Sequence, residues 1–423
     1  MKSKNSRYFL VYAALAAIIL VAGCKEAGEP GETKKKTSPS AIAKKKTKQE
    51  LLAASLDDAV NSPGDDLAPI ISADGNLLYF TSDKPGGRGG QDVWFSRREG
   101  ARWTRAQNLA ELNTRGDEGL DTFNQDGSAL YFTADRPGGR GDNDIYICHH
   151  TPTGWSKPEN VGPPINTKHS DANASLSADG KKLFFVSDRP GGMGGYDIWM
   201  SELGPNGKWG KPTNLGKQIN TDGWEGNVFI APDGETLYFS SNGHGGFGGA
   251  DVFRSILRDG EWSEPDNLGD RINTTGNDTY FTIPASGDMA YMTSSRLEGK
   301  GGADIIAVPM PILFTPKKIV VVAGKVTDSQ TGEPMQAYVK VKYRPTRRDI
   351  AVTTTRPDGN FKLAFAPLDG LMLMIYTDDK SVYPYYKSIP IDMSKENQVV
   401  VRRVAMASDT KPVEVPKEPK TPK

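Results

Sequence analysis

Apolar residues in the middle of the chain come in short runs, and the runs repeat. "DGNLLYF" (74–80), "DGSALYF" (126–132), "DGKKLFF" (179–185), "DGETLYF" (233–239) and "SGDMAYM" (286–292) each set a tight turn before a brief apolar stretch. Asp-Gly between apolar-rich segments is a strong hairpin signal, and runs this short, bounded by turn residues, read as strands. A glycine-rich loop follows each run: "SDKPGGRGGQDVW" (82–94), "ADRPGGRGDNDIY" (134–146), "SDRPGGMGGYDIW" (187–199), "SNGHGGFGGADVF" (241–253) and "SSRLEGKGGADII" (294–306). The closing aspartates, Asp92, Asp144, Asp197, Asp251 and Asp304, are 52, 53, 54 and 53 residues apart. Four copies then carry a tryptophan (Trp103, Trp155, Trp209, Trp262). A phrase such as "KPTNLGKQINT" leads on into the next copy.

One copy parses as four strands. In the third, "NASLS", "KKLFFVS", "YDIWMSEL" and "KWGKPTNL" are separated by "ADG", the glycine loop and "GPNG". So regular a period means stacked or radially arranged units. Four short antiparallel strands per unit predict a β-propeller. Five copies predict five blades; six would need a cryptic unit. The fifth copy lacks the tryptophan strand. Residues 50–60 align with the end of a fourth strand, "SLDDAVN" beside "NLGDRIN", and are the candidate for closing the ring.

These motifs carry a resemblance. "SADGKKLFFVSDRPGGMGGYDIW" is similar to the WD-repeat-like motif of TolB-type periplasmic propellers. It is closer still to a long form, "SDRPGG-x-GG-x-DIY…W…P-x-NLG-x-x-INT", in envelope proteins of Bacteroidetes-like bacteria. The resemblance covers about residues 60–310. The fourth and fifth copies depart from it, with Asn242-Gly243-His244 and Arg296-Leu297-Glu298 where the others have Asp-Arg-Pro or its equivalent. From Lys318 the texture changes. "GKVTD…TGEPMQAYVKV…TTTRPDGNFKLAF" resembles the carboxypeptidase-regulatory-like domain, which implies a small transthyretin-like β-sandwich without catalytic chemistry. The expected fold is therefore all-β, a five-bladed propeller (51–315) followed by a sandwich (316–407).

The N-terminus reads differently. Lys2, Lys4 and Arg7 precede an apolar run, Tyr8 to Gly23, shorter than the roughly 20 residues of a spanning helix. It ends in "VAGC", which resembles a bacterial lipobox and makes residues 1–23 a signal peptide with Cys24 as the lipidated residue. Lys25 in place of aspartate implies export to the outer membrane, with the periplasmic or surface face left open. Residues 24–50 are lysine-rich and almost without apolar content, a solvated tether; the Pro/Lys/Glu-rich tail from Ser408 to Lys423 is also expected to be disordered. Propeller, sandwich and lipid signal together resemble the middle of type IX secretion-associated outer-membrane lipoproteins. Those also carry a helical repeat in front and a peptidoglycan-binding OmpA-like domain behind. Neither pattern is seen here, and without the latter the inference of a peptidoglycan anchor loses its best carrier.

Charge and chemistry narrow the function. Lys+Arg and Asp+Glu are both 52, so nothing argues for nucleic acid as a partner. The glycine loops read GGxGGxD, one residue longer than the calcium nonapeptide, and lack the Gly-Lys-Ser/Thr of a phosphate loop. They are expected to be turns, their aspartates tied to backbone amides. Cys148 beside His149 and His150 lacks further ligands at metal spacing, so no metal or cofactor is expected. One column stands out. Five residues after Asn61, Asn113, Asn166, Asn220 and Asn273, every copy has a carboxylate: Asp66, Glu118, Asp171, Glu225 and Asp278. Two readings are open: a ring of ligands for a cation, basic peptide or amino sugar at one channel mouth, or turn caps within the architecture. With no nucleophile elbow or catalytic histidine constellation, the chain reads as a non-enzymatic platform for an envelope protein or glycan, held to the membrane by its lipid. The alternative is a carbohydrate-active or peptide-processing propeller, which calls for unique axial carboxylates rather than a shared column.

Overall fold

The computed structural model describes residues 54–406 apart from 73–74, 125–126, 152, 285–286, 297–298, 318–319, 366–367, 369, 378–384 and 389–397. Cys24, the tether and the tail lie outside the described residues.

The repeat folds as a five-bladed β-propeller. The inner strands are Asp66–Ile71, Glu118–Phe123, Asp171–Leu176, Glu225–Ile230 and Asp278–Thr282. Each pairs antiparallel with a second strand, and that with a third. Third-blade strands are Asp171–Leu176, Lys182–Ser187 and Asp197–Glu202, as the apolar pattern predicts. The fourth strand differs from its single predicted run. In blades 1, 2 and 4 it is two short pieces on the third strand, one at the tryptophan and one at the Asn-Leu phrase; blade 3 keeps the second piece and a bridge at Trp209. In blades 2, 3 and 4 a proline (Pro158, Pro212, Pro265) follows the tryptophan and has no N–H to continue a ladder; in blade 1 Ala106 stands there and donates to the Ala59 carbonyl instead.

The N-terminal segment closes the ring. Ala54–Ser55 is the outer strand of blade 5, with Ala54 opposite Ala307 and Ser55 opposite Ile306. Two further contacts repeat around the circle. The backbone N–H that opens each inner strand donates to the preceding blade, including Asp66 to the Ala303 carbonyl across the junction, at 2.7–2.9 Å. Asn61, Asn113, Asn166, Asn220 and Asn273 each clamp both backbone groups of a third-strand residue (Ile305, Val93, Ile145, Ile198, Val252) at 2.8–3.0 Å.

The glycine loops supply a third link. Loop glycines Gly89, Gly141, Gly194, Gly248 and Gly301 lie against backbone carbonyls of the following blade's turn, where any Cβ would collide. Each closing aspartate accepts from the N–H four residues earlier, as Asp197 does from Met193 at 2.8 Å. These loops are the turns their composition suggests.

Apolar faces pack between blades. Val93 of blade 1 sits with Leu120, Leu130 and Phe132 of blade 2, and Val60 joins Phe80, Trp94 and Ile305 at the closing junction. After a short 3-10 turn at Ile312–Phe314, the chain builds a second unit of two sheets, one of three strands and one of four. Val322, Val339, Val341, Leu373 and Ile375 fill its own core.

Candidate functional site: the loop-side mouth of the axial channel

The carboxylate column is architecture, not a channel ring. Asp66, Glu118, Asp171, Glu225 and Asp278 are all fully buried at the first residue of the inner strand. Their side chains turn into their own blade. Asp171 accepts from the Thr167 N–H (2.6 Å) and hydroxyl (2.9 Å), the Ser187 hydroxyl (2.6 Å) and the Arg189 guanidinium (2.5 Å). That guanidinium also lies 4.7 Å from the Phe185 ring centre and 5.5 Å from that of Trp199. Lys84, Arg136 and Arg296 pair with Asp66, Glu118 and Asp278 in the same way. In blade 4, His244 reaches the Ile219 carbonyl at 2.8 Å, as Arg189 reaches that of Ile165, and Glu225 is held by Thr221 and Ser241 hydroxyls, each at 2.7 Å. Of the two readings of this column, the geometry fits the turn cap and not the ligand ring, because strand parity points these groups away from the axis.

Their sequence neighbours line the channel instead. A cavity of about 340 Å³ opens at the glycine-loop end. Around it, the residue before each column carboxylate meets the residue before a loop aspartate of the preceding blade. Three of these junctions are small and polar: Asp117 accepts from the Gln91 N–H (2.8 Å), Asn143 donates to Ser170 (3.1 Å), and Asn277 accepts from the Ala250 N–H (2.9 Å). A fourth joins Asp65 to the Ala303 amide. The junction between blades 3 and 4 holds Tyr196 and Trp224. The Trp224 ring is folded over Gly226, where a Cβ would strike it. The loop tips follow the same division: Met193 and Phe247, 47% and 49% exposed, stand over blades 3 and 4, where the other loops carry Arg88, Arg140 and Lys300.

Further down, the inner strands bulge. Ala68, Asn173, Asn227 and Tyr280 all take φ of 49–51° there, a left-handed conformation that costs Ala and Tyr more than Asn. Asn173, Asn227 and Tyr280 hydrogen-bond with one another across the axis and divide the mouth from a narrower section of about 50 Å³. In blade 2 the extra residue is Asp121, which makes it the carboxylate among the described residues lining that section. Its Oδ2 accepts from the Thr133 hydroxyl at 2.8 Å, and its Oδ1 is sealed from solvent without a hydrogen bond.

Burial pushes the Asp121 carboxyl up to about 7, against the pull of the Thr133 hydroxyl and the Ala174 amide. The folded chain thus holds this proton more tightly than the unfolded one. The resulting stabilisation is complete below about pH 4 and is lost as pH rises to about 7. Tyr280, which faces it, is pushed up to about 12 by burial and stays neutral throughout. Asp121→Asn removes the slope. Its stability relative to wild type should improve by about 2–3 kcal/mol between roughly pH 5 and pH 8. Urea denaturation at both pH values measures this, and a pH-independent difference would contradict it.

Cys148 is buried in blade 2, its thiol pushed up to about 12 by that burial, while His149 and His150 are exposed. Among the described residues no group of three His, Cys, Asp or Glu side chains is placed to hold a metal ion. No helix among them is long and apolar enough to cross a membrane.

No family model matches the chain. No curated protein matches it either. Among solved structures it is similar to TolB from Acinetobacter baumannii, with 14% identity, a TM-score of 0.35 and coverage of 71% of this chain and 65% of that one. An α-L-arabinofuranosidase from Lactobacillus brevis is 13% identical, with a TM-score of 0.42 and coverage of 62% and 95%. An endo-arabinase from Bacteroides thetaiotaomicron is 12% identical, with a TM-score of 0.40 and coverage of 61% and 98%. The chain thus spans 65% of the TolB chain it matches. The likeness is one of fold.

Proposed function

We propose that the chain is a lipid-anchored outer-membrane envelope protein whose propeller is a non-catalytic binding platform, its ligand entering the loop-side mouth. One observation carries this reading. The five-fold repeat builds the blades, and it is broken at the mouth, where Tyr196 and Trp224 share the junction between blades 3 and 4. Architecture repeats, whereas recognition of an asymmetric ligand requires unlike groups around the axis. The C-terminal sandwich, with its resemblance to the regulatory-like domain, serves as a second module or spacer. Cys24, in its "VAGC" setting, carries the anchor.

The enzyme reading is less well supported. Glycoside hydrolysis by the usual route needs two carboxyl groups facing the scissile bond. Asp121 is a single carboxylate in the narrow section, behind the Asn173–Asn227–Tyr280 constriction.

A photo-crosslinking residue at Phe247 or Met193 should trap an envelope component in cells, whereas one at Lys181, in the exposed turn at the opposite end of blade 3, should not. Equal crosslinking from both ends, or from neither, would count against the mouth. Metabolic labelling with a palmitate analogue should mark the wild-type chain and vanish in Cys24→Ser; persistent label would remove the lipid anchor from this reading.

A further inference from the structure

We infer that the loop-side mouth takes an uncharged sugar ring of a glycan, stacked at the Tyr196–Trp224 junction and hydrogen-bonded by the asparagines beside it. This rests on the reading of the mouth as the binding surface and narrows it to one ligand chemistry.

Charged and wholly apolar ligands would each leave groups unpaired in this cavity. No lysine or arginine stands among its described lining residues, so an anion would enter without a counter-charge. The lining carboxylate, Asp65, already accepts from the Ala303 amide and stands singly among the described lining residues, so a cation would find one charged ligand there, and that one shared. A wholly apolar ligand would desolvate Asn143, Asn173, Asn227 and Asn277 without replacing their bonds with water. Asn143 donates one hydrogen bond, to Ser170, and Asn277 accepts one, from the Ala250 N–H, of the four or so that an amide can make. What remains is a neutral ligand with many donors and acceptors and one apolar face.

A pyranose has both. Its hydroxyls pair with amides that donate and accept at once. The C–H groups on one side of the ring form an apolar patch that packs on a flat aromatic face. The Trp224 ring is packed on Gly226 at the edge of the cavity, and Tyr196 belongs to the same junction. The volume, about 340 Å³, is at the small end of ligand pockets and suits one or two sugar units.

The test titrates the full chain, carrying Cys24→Ser, by calorimetry with cellobiose, xylobiose and diacetylchitobiose, and with trialanine and trilysine as peptide probes. At least one disaccharide should bind saturably. Trp224→Ala should weaken it about tenfold, equivalent to roughly 1.4 kcal/mol. Trp224→Phe should fall between, and Tyr196→Ala should act in the same direction if Trp224→Ala does not fold. Three results would overturn the inference: no disaccharide saturating at tens of millimolar; a disaccharide bound equally well by wild type and by folded aromatic variants; or a peptide probe, and no sugar, bound in a Trp224-dependent manner. The last would leave the platform standing with a peptide as its ligand. The crosslink from Phe247 reports a component bound on the loop side whatever its chemistry, so failure of the sugar and failure of the platform give different outcomes.

Discussion

Asp171→Ala is expected to destabilise the propeller by roughly 3–5 kcal/mol, the cost of stranding one member of a buried ion pair. Asp171 is fully buried, and its partner Arg189 is 9% exposed at its side chain. Removing the carboxylate leaves the guanidinium between the Phe185 and Trp199 rings without its counter-charge, and the Thr167 and Ser187 hydroxyls and the Thr167 N–H lose their acceptor. For a unit of this size the melting temperature should fall by about 10 °C or more. The double variant Asp171→Ala/Arg189→Met should recover part of that loss, because a pair replaced by apolar groups is much cheaper than a pair broken. Glu225 offers an internal contrast. His244 bonds the Ile219 carbonyl rather than the Glu225 carboxylate, so Glu225→Gln strands no arginine or lysine and should cost less than Asp171→Ala. Equal losses at the two positions would show that hydroxyl and amide bonding, not charge pairing, sets the value of the column. Wild-type stability in Asp171→Ala would show that the ion pair contributes little in blade 3.

This expectation follows one of the two roles that spacing alone left open for these five residues, the turn cap. Their recurrence was legible, and so was their place beside the channel. Their direction was not, because a strand sends successive side chains to opposite faces and a shift of one residue exchanges them. The useful signal lay one position earlier. Read down the five copies, that position runs Asp65, Asp117, Ser170, Trp224, Asn277, and the residue before each loop aspartate runs Gln91, Asn143, Tyr196, Ala250, Ala303. The constant columns build blades. Of the varying ones all but Asp117 and Gln91 line the mouth, and their two aromatics fall at one junction.

The fold was more fully legible, since period, turns and apolar runs all pointed to the same architecture. Asp121 was beyond reach for a local reason. Four inner strands bulge at the third residue, and blade 2 bulges one residue later, between Leu120 and Thr122. No composition signal in "EGLDTF" marks that displacement, yet it is what turns a carboxylate into the narrow section of the channel. The split of the outer strands is hidden for a similar reason, because in sequence the tryptophan and Asn-Leu phrases form one continuous stretch, "KWGKPTNL" in the third copy.

The ring closure predicts the second large effect. A chain that starts at residue 63 should fail to form a stable monomeric propeller, whereas one that starts at residue 51 should melt like the full-length protein. The ten or so residues between them do three things. Ala54–Ser55 covers the outer edge of the last blade, which would otherwise present unpaired backbone groups. Val60, fully buried, fills the junction with Phe80, Trp94 and Ile305, and losing such a side chain from a core costs about 1.5–3 kcal/mol in burial alone. Asn61 satisfies both backbone groups of Ile305, each worth about 1–3 kcal/mol when left buried and unpaired. Together the last two come to about 3.5–9 kcal/mol, comparable to the whole stability of many domains. Asn61→Ala alone should show part of the effect and locate it, raising hydrogen exchange at Ile305 while the equivalent position Ile198, clamped by Asn220, stays protected. Circular dichroism and size-exclusion chromatography distinguish the two chains. A folded monomer from residue 63 onward would mean that the other inter-blade contacts at the junction, Asp66 on Ala303 and Gly301 on the Gly64 turn, suffice to hold the circle shut.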